Sequence, residues 1–249
     1  MLRCLCVLGR LDKIKKLQRE SMKKLILVLV VVFLTACASG GSLKKSDSTL
    51  DTSKQSVLLL SLDLGRQSAS RYIPHPQVMR FAYKDTQGKY AVKAIVVGKD
   101  AGEAASETSN KFLLSASLEP GRYKLESIIG RANAFPFIGH FWLPLLLEFD
   151  VPVNSVVYVG HINAMLRPRV AEEFRAGSVI PVLDQSATGI SGSTFDVEVS
   201  DASEKDIAEF KNNFSVLQSF EINKQILPPF DRARAQSWWQ TDGKSEDNR

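Results

Sequence analysis

Cysteine is almost absent. Of 249 residues only Cys4, Cys6 and Cys37 are cysteines, and none follows position 37. The chain beyond that point can therefore form no intramolecular disulfide and no thiolate metal centre, and Cys4 with Cys6 alone falls short of a zinc ligand set. Histidine is scarce too: His75, His140 and His161 are the only three, at spacings that match no metal motif. No metal and no cofactor is expected. Long apolar runs are also missing. Leu25–Leu34 gives ten uninterrupted apolar residues, which as a helix reach about 15 Å, half of a roughly 30 Å hydrocarbon core.

A surplus of one charge is absent once the charges are located. The net charge of +5 suggests a nucleic-acid binder. Residues 1–36, however, hold eight Lys/Arg and two acids; removing them from totals of 32 and 27 leaves 24 basic and 25 acidic residues, a net −1. A neutral remainder has no footprint for a phosphate backbone, so no nucleic-acid partner is expected. Neither H-E-x-x-H, G-x-S-x-G, a P-loop nor G-x-G-x-x-G occurs. Ser42-Leu43-Lys44-Lys45 spells S-x-x-K, but in a polar stretch where nothing would hold geometry. The pairs Glu148/Asp150 and Asp196/Glu198 stand two apart on expected strands, so each shares a face at about 7 Å, a separation compatible with acid/base work. A solvated strand face is the expected reading; a hydrolase using these carboxylates is the alternative.

What is present begins with a leader. Met22-Lys23-Lys24, the apolar run Leu25–Leu34 and small residues around Cys37 follow the order of a secretory signal. Leu34-Thr35-Ala36-Cys37 resembles the lipobox of bacterial lipoproteins. The resemblance implies cleavage before Cys37 and lipid on its sulfur, with residues 1–36 as signal peptide and Met22 as a candidate start. Ala38 after the cysteine implies, by the same resemblance, the outer membrane facing the periplasm. Residues 37–55 are rich in Ser, Gly, Thr, Lys and Asp and are expected to form a flexible tether.

From Ser56 the dominant period is two. Leu58, Leu60, Leu62 and Leu64 share one face against Ser61 and Asp63. Strands are likewise predicted at Val78–Lys84, Lys89–Val97, Phe112–Leu118, Leu145–Val151, Val156–Leu166 (buried on both faces for part of its length) and around Phe195–Val199. Glu119-Pro120-Gly121-Arg122 reads as a turn closing a hairpin over Leu118–Ser127. That segment resembles the terminal hairpin of transthyretin-like and carbohydrate-binding-like sandwiches. One helix is predicted from Ser203, whose S-x-x-D pattern has capping-box form, with Ile207, Phe210, Phe214 and Leu217 on one side. Residues 186–193 read as a flexible loop. The expected fold is mainly β: an antiparallel sandwich, Ig-like or transthyretin-like, over 56–230, with one short C-terminal helix and a polar tail over 231–249.

Function is least legible. Phe135, Phe137, His140, Phe141 and Trp142 form an aromatic-rich stretch broken by Pro136 and Gly139; buried it would plug the core, exposed it would be a partner-binding loop. Trp238-Trp239 poses the same choice, and the Arg167, Arg169, Arg175 cluster reads as solvated surface. The residues point to a non-catalytic binding or structural domain, anchored to a membrane through lipid at Cys37, with an envelope protein or a glycan as partner. A structural subunit of an outer-membrane assembly is a further alternative.

Overall fold

The computed structural model describes residues 41–67, 74–106, 108–134, 137–178 and 189–243. Cys37, the leader and Phe135 lie outside them. Among the described residues ten strands form: β1 (Ser56–Arg66), β2 (His75–Lys84), β3 (Tyr90–Val96), β4 (Gly102–Ala105), β5 (Ser109–Leu118), β6 (Gly121–Ala134), β7 (Phe137–Val151), β8 (Val156–Pro168), β9 (Ser193–Ser200) and β10 (Ile222–Lys224). Helices α1 (Ser203–Asn213) and α2 (Arg232–Trp238) follow β9 and β10 respectively. Among the described residues no helix is long and apolar enough to cross a membrane.

The strands make two sheets. The larger runs β10-β8-β1-β5-β4 with β9 also on β8; the smaller runs β3-β2-β6-β7. Leucines 58, 60, 62 and 64 of β1, Leu125 and Ile128 of β6, and Leu143 and Leu147 of β7 meet in one core between them. The expected mainly β, two-sheet fold is what forms. The larger sheet is mixed rather than purely antiparallel, because β8 runs parallel to β1 and to β10.

The opposite face of the larger sheet is also buried. Val57 and Leu59 of β1, Leu113 of β5 and Val156 and Tyr158 of β8 pack beneath Phe210 of α1 and Phe214 and Leu217 just beyond it. That is the predicted apolar stripe of the helix. It also explains why Ser61, expected on a polar face, is wholly buried. The predicted capping box does not form: Ala202 is the N-cap, and Asp201 accepts from the Ser203 amide at 3.0 Å. Asp206 turns inward instead.

Four further expectations are corrected. Leu118–Ser127 is no hairpin: β5 pairs with β1 and β4, while β6 pairs with β2 and β7. The Pro120-Gly121 turn carries the chain from one sheet to the other, and alternation alone cannot tell a sheet corner from a hairpin. The described part of the tether, 41–55, is not free along its length. Leu43 is buried in the helix-side cluster, Gly41 accepts from the Ser117 amide, and Ser115 accepts from the Leu43 amide. The tail forms α2, with Asp231 accepting from the Arg234 amide as its N-cap and Ala235 in the core. Residues 189–192 of the expected flexible loop lead into β9 with Ile190 buried.

Candidate functional site

Asp206 is 1% exposed, and three groups satisfy it. Lys111 Nζ donates to its Oδ1 at 2.8 Å, and the Tyr158 hydroxyl donates to Oδ2 at 2.6 Å, joined there by the Ser61 hydroxyl. Burial works against the charge, but these hydrogen bonds outweigh it and hold the carboxyl below the usual carboxylate range. Lys111 also pairs with Glu209. Burial raises the Tyr158 phenol and the bond to Asp206 adds to it, so the phenol stays protonated.

His161 joins this cluster through Ser61 Oγ, 2.9 Å from Nδ1, while its Nε2 stands 3.6 Å from Asp63 Oδ2. Serine, histidine and carboxylates are the parts of a nucleophile relay, yet the proton directions are reversed. A hydroxyl has one proton, and Ser61 gives it to Asp206; Ser61 therefore accepts from His161 Nδ1–H. Ser61 is also 0% exposed, so no acyl group can reach it. The cluster ties α1 to the sheet.

An accessible concavity lies at one mouth of the sandwich. It encloses about 730 Å³ between the start of β2, the end of β3 and Arg131 and Asn133 of β6 on one side, and β4 and β5 on the other. Such volumes are typical of ligand sites. Phe112, Pro76, Val97 and Ala101 make its apolar lining. Gln77, Asn110 and Asn133 supply amides; Lys99 and Arg131 supply cations, while the Lys111 ammonium is turned to Asp206 and Glu209. No carboxylate is among the described residues that line it. His75 sits edge-on to Phe112 with ring centroids 5.6 Å apart, and its Nε2 is 3.3 Å from Asn110 Nδ2. Desolvation first, and Arg131 second, lower the His75 pKa, so the ring is neutral near pH 7. The strand register places Arg131 between His75 on β2 and His140 on β7 in one cross-strand row.

The aromatic stretch singled out in the sequence is distributed rather than gathered. Phe135 lies outside the described residues. Phe137 opens β7. His140 is exposed and Trp142 half-buried, while Phe141 is 0% exposed and packs edge-on to Phe195 of β9 at 5.6 Å. From Phe137 onward the stretch is thus a strand paired with β6 rather than a loop, and alternate residues face the core. Cys37, the expected lipid attachment point, also lies outside the described residues.

One member of each carboxylate pair engages arginines. Glu148 takes Arg122 at 2.9 Å and Arg234 at 2.7 Å, the latter bond being the larger influence that lowers its pKa. Asp196 takes Arg167 at 2.9 Å and Arg232 at 2.7 Å. Arg167 also grips Glu173 through both terminal nitrogens, at 2.7 and 2.6 Å, which pulls that carboxyl from 4.5 to about 2. The basic cluster expected as solvated surface is therefore part of a network that fastens α2 and residues 169–173 to β8 and β9. Arg169 lies over the Trp239 ring at 5.9 Å, which docks Trp239 on the domain. Among the described residues, no three His, Cys, Asp or Glu side chains are placed to share a metal ion.

Sequence reasoning missed the groove because its walls come from both sheets. It also missed Asp206, although a signal existed: Asp206 stands four residues before Phe210, on the same apolar stripe. Compared with models of protein families, with curated proteins and with solved structures, the chain matches none.

Proposed function

We propose that this chain is a lipid-anchored lipoprotein of the cell envelope whose β domain binds a ligand without transforming it. The groove at the sandwich mouth carries the binding reading. Its cations, amides and apolar floor suit an anionic, hydroxyl-rich molecule, and an acidic glycan has that chemistry. Lys99 and Arg131 line it without an ion-pair partner among the described residues, whereas Lys111 is already committed to Asp206 and Glu209. Lipid at Cys37 would hold the domain at a membrane, and the outer membrane facing the periplasm follows from Ala38. The non-catalytic reading draws support from arginines that engage Glu148 and Asp196 and from the burial of Ser61.

Two measurements test this reading. The full chain is titrated, by fluorescence or calorimetry, with a uronic-acid oligosaccharide and with a neutral oligosaccharide of the same length. Saturable binding of the acidic sugar, weakened about tenfold by Arg131→Ala through loss of a charge-assisted hydrogen bond, is expected. Equal binding of both sugars, or none, overturns the ligand class. Mass spectrometry of the N-terminal peptide from the membrane fraction tests the anchor: a lipidated peptide beginning at Cys37 and lost in Cys37→Ala is expected. An unmodified cysteine in a soluble chain removes it.

A further inference from the structure

β3 closes one side of the smaller sheet, pairing with β2 alone among the described strands. Its ladder to β2 has no register shift, and two hydrogen bonds at its ends fix the phase: the Asp85 amide donates to the Lys89 carbonyl at 2.9 Å, and the Val97 amide to the Gln77 carbonyl at 2.8 Å. Hydrogen-bonded positions alternate in an antiparallel pair. Ala91, Lys93 and Ile95 therefore bond to β2, and Tyr90, Val92, Ala94 and Val96 turn their backbone groups to the open edge. Ser42 Oγ, reaching across the edge to the Val96 carbonyl, agrees with that phase.

The same four residues carry exposed side chains, with Tyr90 at 73%, Val92 at 50% and Val96 at 71% exposure and Ala94 also exposed. Edge strands are ordinarily blunted by charges, pointing outward or inward, by proline or by a bulge. On β3 the exposed side chains are aromatic, β-branched or small, and the one such device, Lys93, points inward with its Nζ bonding the Ser117 carbonyl, where an acid of an added strand would compensate it. The surroundings are basic. Residues 84–99 hold Lys84, Lys89, Lys93 and Lys99 against one acid, Asp85, which is occupied with the Gln87 and Lys89 amides of its own turn.

We infer that β3 is a docking edge for an extended segment of a partner protein, one that alternates apolar and acidic residues and adds to the sheet as a fifth strand. Its backbone pairs with Tyr90, Val92 and Ala94. Its apolar residues lie beside Tyr90 and Val92 on the outer face. Its acids fall on the face of Lys93 and, at the ends, near Lys89 and Lys99. A second copy of this chain fits less well, since a second β3 brings the same four lysines to the contact and like charges across a ladder repel. This surface meets the groove at Val96 and Lys99, but it does not rest on the ligand reading of the groove.

The test uses the full chain in detergent and a labelled nine-residue peptide of alternating Val and Glu, with a Val/Lys peptide as control. Saturable anisotropy is expected for Val/Glu, at least tenfold weaker for Val/Lys. Val92→Pro removes an outward N–H while leaving the bonds to β2, and is expected to weaken Val/Glu binding at least tenfold without moving the unfolding midpoint. Should that variant unfold, hydrogen exchange on the unaltered chain decides: the Tyr90, Val92 and Ala94 amides gain protection with peptide, or the inference fails. Equal binding of both peptides, absence of saturation, or concentration-dependent dimers abolished by Val92→Pro each overturn it, the last in favour of self-pairing.

Discussion

Tyr158 and His161 stand three residues apart on one strand, yet both reach the same buried polar cluster on the helix side of the sheet. Strict alternation would send them to opposite faces. The ladder between β1 and β8 skips at this point, from Leu59 opposite Tyr158 to Ser61 opposite His161. Val159 faces the core before the skip and Ile162 after it, so the parity of β8 inverts at Gly160, whose φ is +121°. A bulge of this kind re-aims side chains, and here it brings His161 beside Ser61.

Asp206→Ala leaves Lys111, Tyr158 and Ser61 facing a cavity. Removing one partner of a buried charge network costs about 3–5 kcal/mol, so a lower urea midpoint with an unchanged slope is expected. Lys111→Met, which strands the buried carboxylate, is expected to fall in the same range; a loss under 1 kcal/mol for both would show that the network is dispensable.

Gly130 is a packing requirement. A Cβ there would stand 2.0 Å from the His75 carbonyl and 2.6 Å from the Phe141 ring. Gly130→Ala should cost about 1–3 kcal/mol or more through forced displacement. Gly192, with nothing within 4 Å of its Cβ position, is the control, and Gly192→Ala should leave thermal unfolding nearly unchanged.

Neighbouring positions of the aromatic stretch should respond oppositely. Phe141→Ala empties a fully buried site and is expected to cost about 3–5 kcal/mol. His140→Ala, on the exposed face, should stay within about 0.5 kcal/mol. Comparable losses at both would contradict the alternation of β7.

Acid should weaken the fold through its lowered carboxylates. Glu173 falls from 4.5 to about 2 and Asp206 is also depressed, so the unfolded chain binds more protons as the medium acidifies. Their stabilisation is full above pH 4.5 and is lost as pH falls toward 2. Glu173→Gln should flatten that slope while lowering stability at pH 7, as followed by thermal unfolding across pH. An unaltered slope would place the acid sensitivity elsewhere.

Much of the local structure is legible in the sequence alone. Period-two leucines in β1, the two-sided burial of β8 and the 3–4 spacing of Ile207, Phe210 and Phe214 describe how a strand or helix meets an apolar surface, and each follows from backbone geometry over a few residues. The sequence also set the basic, apolar residues 1–36 apart from a neutral remainder. Tertiary structure alone decided which strands pair. The turn at Pro120-Gly121 reads the same whether it closes a hairpin or rounds a sheet corner, and only the partners of β5 and β6 distinguish them. The parity inversion in β8, the burial of Asp206 and the groove between the sheets depend on contacts between residues far apart in the chain. Ser61 meets Asp206 across 145 positions, and Asn110 meets His75 across 35. Side-chain period carries no information about which distant surface will cover a face, and for that reason the chemistry of this protein became legible only after the sheets were assembled.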